Sequence, residues 1–146
     1  MGLDLPKSMK KDIDFTPVAG VVVTIARRIN ELNEAEWGVY LINQNETTIT
    51  NVFVTSRGYS GDDAKSKADQ QRTSTLRHFF TEIGAGQWVQ VETIMPDVFH
   101  LNNEYWVSFY VESKIFDKKF IFVPDSIVEE NLQPIVELGL DGVLHV

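Results

Sequence analysis

The chain contains no cysteine, and this absence removes three kinds of chemistry together. A disulfide framework, a zinc site built from thiolates and catalysis by a cysteine nucleophile all require that residue. A chain of 146 residues is nevertheless long enough to bury a sizeable core without such staples. We therefore expect one globular domain that is stabilised by side-chain packing.

Long apolar runs are also missing. The longest run, residues 18–23, is far too short to cross a bilayer. No apolar stretch follows Lys10 and Lys11 near the N-terminus, as a signal peptide would require. We therefore expect a soluble, cytoplasmic protein with no membrane partner.

Basic residues are in the minority, with 13 Lys and Arg against 21 Asp and Glu, so the formal net charge is −8. Binding to nucleic acid depends largely on cations that neutralise phosphates. Aromatic and basic residues do adjoin at Phe116–Phe120, but the acidic surplus argues against a nucleic-acid partner.

Recognisable catalytic and metal-binding patterns are absent too. The chain has no G-x-S-x-G turn and no phosphate-binding loop of the correct spacing. His78, His100 and His145 are far apart and form no H-x-H or H-x-x-x-H pair. We predict no catalytic residue, no metal site and no cofactor, which favours a protein that is not an enzyme.

The sequence is rich in segments whose apolar residues alternate with polar ones, a period that is typical of half-buried β-strands. Helices over residues 18–32 and 74–83 remain alternatives to strands there. In the strands, Glu92 and Glu104 fall on positions that are expected to point outward. The predicted strands cover residues 21–29, 37–43, 48–56, 74–83, 87–94, 104–112 and 115–123, and residues 142–146 are a further candidate.

The strongest signal is the pair of segments 104–112 and 115–123. Ser113 and Lys114 form a short polar break between them, which predicts a β-hairpin. Beyond Pro124, Ser126 and Glu129 have the spacing of a capping box. This spacing predicts a short helix from residue 127 that ends before the proline at position 134.

About seven strands with regular turns indicate a mainly β protein, an antiparallel sandwich with a short C-terminal helix. We assign residues 1–17 to an N-terminal tail and residues 18–146 to a single domain. Residues 57–72 form a long connection with one bulky side chain, Tyr59, and such connections are often functional or disordered.

Three segments carry a resemblance to a known family: WGVYLIN at 37–43, ITNVFV at 49–54 and GQWVQV at 86–91. Together, over residues 37–123, the chain resembles small bacterial immunoglobulin-like β-sandwich modules. The resemblance implies an immunoglobulin-like sandwich that acts in binding or assembly. It implies no particular functional residue.

Aromatic residues on the second face of the predicted strands suggest an interface. If Tyr105 and its alternate neighbours face the core, Trp106 and Tyr110 face outward, and Trp37 and Tyr40 cannot both face inward. Exposed Trp and Tyr side chains are typical of protein contacts. We predict an interaction module that binds another protein or itself through Trp106, Tyr110 and Tyr40. The alternative is that the tail or the C-terminal helix covers them.

Two other function classes remain open. A closed barrel would bind a small apolar ligand, although such a ligand is not the expected partner. The four phenylalanines that would line its cavity are Phe79, Phe109, Phe120 and Phe122. A small enzyme near the 57–72 connection would use Asp62, Asp63 or His78, and it requires His78 to lie in a cleft beside a carboxylate.

Overall fold

A computed structural model describes residues 20–61 and 70–145 of the chain. These residues form nine β-strands and two short 3-10 helices, Pro96–Val98 and Glu129–Asn131. The strands are β1 (Val21–Ile29), β2 (Ala35–Asn43), β3 (Ile49–Tyr59), β4 (Leu76–Ile83), β5 (Trp88–Ile94), β6 (Asn102–Val111), β7 (Lys114–Phe122), β8 (Gln133–Ile135) and β9 (Leu140–His145).

The strands form two antiparallel sheets. The five-stranded sheet has the order β5-β2-β1-β9-β8, and the four-stranded sheet has the order β4-β3-β6-β7. No helix among the described residues is both long and apolar enough to cross a membrane. With nine strands and two 3-10 helices of three residues each, the described part of the chain is mainly β, as the alternating pattern predicts.

The core lies between the sheets and is built by the predicted alternation. From the five-stranded sheet, Val23, Ile25 and Leu41 are buried, and from the four-stranded sheet Val107 and Phe109 meet them. Alternate side chains of a strand point to opposite faces, so each strand contributes one face to this core. The described side chains fill the space between the sheets, and the two sheets do not form one closed barrel.

The helix alternatives at the first and fourth strands are wrong over the described residues, since Val21–Ile29 and Leu76–Ile83 are both strands. The predicted 57–72 connection is shorter than expected, because β3 continues to Tyr59 and Tyr59 forms an isolated bridge with Arg72. The rest of that segment, residues 62–69, and the predicted tail at residues 1–17 lie outside the described part of the chain.

The predicted C-terminal helix is wrong. Its capping box does not form, because the Ser126 hydroxyl donates to the Val123 carbonyl and the Glu129 carboxylate binds Arg27 on β1. A single 3-10 turn remains, and the chain then enters β8, where Pro134 lies in a strand at the edge of its sheet. An edge is where a strand tolerates proline, because one side of its backbone needs no partner.

The predicted hairpin is confirmed, with its turn displaced by one residue. Val111 pairs with Lys114, so Glu112 and Ser113 form the turn. Glu112 has a φ of 56°, a left-handed conformation that the tight connection requires of its first residue. Strands β6 and β7 run side by side for their whole length, and they position the surface described next.

Candidate functional site

The outer face of the four-stranded sheet carries large apolar side chains on all four strands. We call this surface the aromatic face and define it by Phe53, Phe79, Trp106, Tyr110 and Ile115. The strand register brings them together: β3 places Phe53 opposite Phe79, and β6 places Tyr110 opposite Ile115. Trp106 lies one row beyond the Phe53–Phe79 pair, on the side away from Tyr110, where it is opposite Lys119.

These side chains are open to solvent in the described structure. The exposed fractions are 52% for Phe53, 52% for Phe79, 47% for Trp106 and 60% for Ile115. The Phe53 and Phe79 rings are 4.8 Å apart between centroids, and Lys119 Nζ lies 4.8 Å from the centre of the Trp106 ring. Contiguous exposed aromatics of this kind mark interaction sites more often than scattered apolar residues do.

The structure brings together two of the three residues that the sequence pointed to. Trp106 and Tyr110 share the aromatic face, whereas Tyr40 lies on the outer face of the other sheet. Tyr40 is 6% exposed, and its ring packs edge-on against Trp88. Sequence alternation gives the face of a residue within its strand but not the sheet to which that strand belongs, so alternation alone does not separate Tyr40 from Trp106 and Tyr110.

The interface prediction does not include Phe53 and Phe79, which also belong to the aromatic face. Phe53 occupies the position between the inward Val52 and Val54, and this parity was the available signal. Phe79 lies between two inward-facing positions of β4 in the same way. The missing information was the pairing of β3 with β4, which sequence alternation does not supply.

The C-terminal segment does not cover the aromatic face. Strand β9 pairs with β1 in the five-stranded sheet. Ile135 and Leu138 pack against Val22 and Ile42 on the outer side of that sheet. A second apolar layer therefore exists, but it lies on the opposite side of the molecule from Trp106.

The strand residues of the aromatic face carry a balanced set of charges. Glu104 lies on this side, as predicted, but it is 4% exposed because Arg57 and Tyr59 close over it. Its carboxylate accepts hydrogen bonds from Arg57 Nε at 3.0 Å and from the Tyr59 hydroxyl at 3.1 Å. The cationic residues of the face are Arg57, Arg77 and Lys119, and the anionic residues are Glu82, Glu104 and Asp117.

A second candidate lies at the open side of the sandwich, where the edge strands β4 and β5 face each other. Glu92 Oε1 accepts a hydrogen bond of 2.8 Å from the Ser56 hydroxyl, and His78 Nε2 lies 2.7 Å from the same oxygen. We call Ser56, His78 and Glu92 the open-edge cluster. It joins the two sheets, since Glu92 belongs to the five-stranded sheet and the other two to the four-stranded sheet.

The expectation that Glu92 points outward is wrong, and a β-bulge is the cause. The pairing of β2 with β5 shifts register between Val39 and Tyr40, so that Val39 faces Glu92 and Tyr40 faces Gln90. An extra residue in one strand turns the following side chains to the other face. The signal was present in the sequence, because Val91 and Ile94 are both apolar at opposite parities of one strand.

The open-edge cluster borders a pocket of about 360 Å³ that Tyr105 and Asn103 also line. Burial raises the pKa of the Tyr105 hydroxyl well above its ordinary value, and the negative charge of Glu92 raises it further. The enzyme alternative required His78 to lie in a cleft beside a carboxylate. Glu92 supplies the carboxylate, but His78 is not among the residues that line this pocket. Asp62 and Asp63 lie outside the described residues.

The chemistry available to this cluster is limited by its geometry. The Ser56 hydroxyl and the His78 imidazole both contact the same carboxylate oxygen of Glu92. The imidazole is therefore hydrogen-bonded to Glu92 and not to the Ser56 hydroxyl. Ser56 is buried, whereas a nucleophile needs a base within reach and a path to substrate. Residues 20–61 and 70–145 contain no group of three or more His, Asp or Glu side chains that is arranged to hold a metal ion.

Comparison with family models, with curated proteins and with solved structures gave no match to this chain. The functional conclusion therefore depends on the residues and surfaces described above.

Proposed function

We propose that this protein is a non-catalytic interaction module that binds another protein through the aromatic face. The observation that carries the proposal is the row of large apolar side chains left open on one sheet face. Sandwich strands usually alternate apolar residues inward with polar residues outward. All four strands depart from that pattern on the same face: Phe53, Phe79 and Trp106 lie at adjoining positions, and Ile115 is exposed on β7.

The charges of the face indicate the chemistry of the partner. Three cationic and three anionic strand residues lie there, while the whole chain carries −8. A locally neutral surface on an acidic protein can be approached without the repulsion that the remaining surface exerts. We therefore assign the partner a largely apolar contact surface with few charges, in which Trp106 and Phe53 supply the central contacts.

The proposal includes an immunoglobulin-like arrangement, and the strand order supports it. Strands β1, β2 and β5 are ordered as strands A, B and E of that fold, and β3, β6 and β7 are ordered as C, F and G. Strand β4 extends the second group beside β3, and β8 and β9 extend the first group. Sandwiches of this kind act mainly by presenting surfaces, which agrees with a binding role.

The open-edge cluster has a structural role in this proposal. Its hydrogen bonds close the side of the sandwich where two edge strands face each other, and both end on Glu92. A carboxylate that accepts a buried hydroxyl and an imidazole is a satisfied polar group, as burial requires. The cluster therefore holds the sheets together and needs no substrate to explain it.

The test uses a double variant, Phe53→Ser with Trp106→Ser, and a matched control, Leu32→Ser with Val136→Ser. The control removes two strongly exposed apolar side chains that lie outside the four-stranded sheet. Proteins captured by the wild type from an extract of the source organism are identified and purified. Their affinities for the wild type and both variants are then measured by titration calorimetry, after urea unfolding has shown that both variants are folded.

We expect the double variant to raise the dissociation constant by about tenfold or more, because central aromatic contacts dominate binding energies. The control variant should bind as the wild type does. If a purified partner binds the wild type and the double variant equally, the aromatic face is not the contact surface. Binding only to a second copy of the chain through this face would likewise reject the assigned partner.

A further inference from the structure

Within residues 20–61 and 70–145 the two sheets have four edge strands, and three of them carry features that discourage pairing with another strand. Strand β8 has three residues and contains Pro134. Strand β5 is displaced by the bulge opposite Val39 and Tyr40. Strand β7 carries three lysines, and Lys118 lies on its inner side with Nζ 5.1 Å from the centre of the Phe120 ring. Short length, proline, bulges and inward lysines are the recognised protections of sheet edges.

Strand β4 has none of these protections. It runs for eight residues, Leu76–Ile83, without proline or lysine, and its register with β3 shows no shift. Among the described residues, no strand pairs with its outer side. An edge strand presents a row of unpaired backbone N–H and C=O groups along such a side, which is a template for strand addition.

The charges of β4 are arranged so that the strand complements itself. Arg77 lies near one end and Glu82 near the other, and the middle of the strand is Phe79 and Phe80. Both charged side chains lie on the outer face, Arg77 in the row of Trp106 and Glu82 in the row of Tyr110. Both are exposed, and neither forms an ion pair with another described residue.

We propose that β4 pairs antiparallel with β4 of a second copy of this chain, joining two four-stranded sheets into one continuous sheet. A two-fold axis near the middle of the strand brings Arg77 of each copy beside Glu82 of the other copy, so the contact contains two matched charge pairs. The pairing uses the unprotected edge of both copies, and the lysine-rich edge β7 ends the joined sheet on each side. The assembly therefore closes at two chains.

The partner of the edge is a second copy because the strand supplies both members of each charge pair. The edge offers the backbone groups of β4, whereas the partner contact uses side chains that point outward, including Phe79 of the same strand. Strand pairing needs no bound partner, so this inference stands whether or not the aromatic face binds another protein. Pairing would, however, place two aromatic faces side by side on one joined sheet. Such a dimer would present its partner with two copies of the Phe53 and Trp106 contact.

The test is a charge exchange between two single variants of the full chain, Arg77→Glu and Glu82→Arg. Each variant alone places like charges together at both ends of the paired strands. When the two variants are mixed, Glu at position 77 of one meets Arg at position 82 of the other, and the native pair remains at the opposite end. Sedimentation velocity measures self-association, and native mass spectrometry identifies mixed dimers. The control variants are Lys114→Glu on β7 and Glu130→Arg in the C-terminal 3-10 turn.

We expect the wild type and both controls to form dimers, and each test variant to raise the dimer dissociation constant by about tenfold. The equimolar mixture should regain dimers that contain one chain of each variant. Recovery on mixing also shows that the single variants are folded. The proposal is overturned if the wild type remains monomeric at its highest soluble concentration, or if the mixture associates no better than the separate variants.

Discussion

At the scale of single residues, the buried Tyr105 shows how sheet packing changes the chemistry of a side chain. Its ring contacts Phe122 edge-on in the core, and its pKa is raised by desolvation and, to a smaller extent, by the negative charge of Glu92. The phenol therefore remains protonated in the folded chain at pH values where an exposed tyrosine ionises. Folding and the ionisation of this one residue are thus coupled.

This coupling predicts a loss of stability at alkaline pH. Above about pH 10 the unfolded chain releases the Tyr105 proton, while the folded chain retains it, so the free energy of unfolding falls as pH rises. The loss reaches about 1.4 kcal/mol per pH unit from this residue, and it is absent at neutral pH. Urea unfolding between pH 9 and about pH 11.5 measures the slope, and Tyr105→Phe should reduce it. Equal slopes for the wild type and Tyr105→Phe would show that Tyr105 is not the coupled group.

At the scale of strands and turns, sequence alternation predicts strands well because burial of one face imposes a period of two residues. The hairpin β6–β7 is the clearest case, since Tyr105, Val107 and Phe109 all face the core as expected. Alternation fails where a contact is made across long sequence separations. The Glu129 carboxylate accepts a hydrogen bond from Arg27, which lies 102 residues earlier in the chain, and therefore does not cap a helix.

The open-edge cluster illustrates the second limit of sequence reasoning. A strict period of two assigns Glu92 to the outside, but the bulge in β5 turns it inward to Ser56 and His78. Sequence alternation identifies two members of the aromatic face, Trp106 and Tyr110, because outward and inward residues alternate regularly along β6. Assigning Phe53 and Phe79 to this face requires knowledge of the strand order in the sheet. That order depends on contacts among residues far apart in the chain.

The cluster predicts that Glu92 links the two sheets. Replacing Glu92 with Ala removes the acceptor of the buried Ser56 hydroxyl, so the free energy of unfolding should fall by about 1–3 kcal/mol. Glu92→Gln keeps a carbonyl oxygen at nearly the same place, and we expect a smaller loss. Urea unfolding at neutral pH compares both variants with Glu130→Ala, a change at an exposed glutamate. A loss in Glu92→Ala no larger than in this control would mean that the link contributes nothing.

At the scale of the whole molecule, charge and sheet edges act together. An acidic surplus keeps separate molecules apart, and three of the four sheet edges in the described part of the chain carry features that discourage pairing. The aromatic face and β4 are the places where these two restraints are weakest, because the first is locally neutral and the second lacks protection. Both surfaces belong to the four-stranded sheet, so association of two chains would double the contact area that a partner meets.

Association through β4 predicts that thermal stability depends on protein concentration. A dimer of folded chains is favoured by mass action, so dilution lowers the unfolding temperature, whereas a monomer unfolds at the same temperature at every concentration. For a chain of this size we expect a rise of about 1–3 °C for each tenfold increase in concentration. Scanning calorimetry over a range of concentrations measures it for the wild type and for Arg77→Glu, whose unfolding temperature should vary much less. If the unfolding temperature depends on concentration equally in both proteins, the contact between chains lies on another surface. If the unfolding temperature of the wild type does not depend on concentration, the chain does not form the proposed dimer.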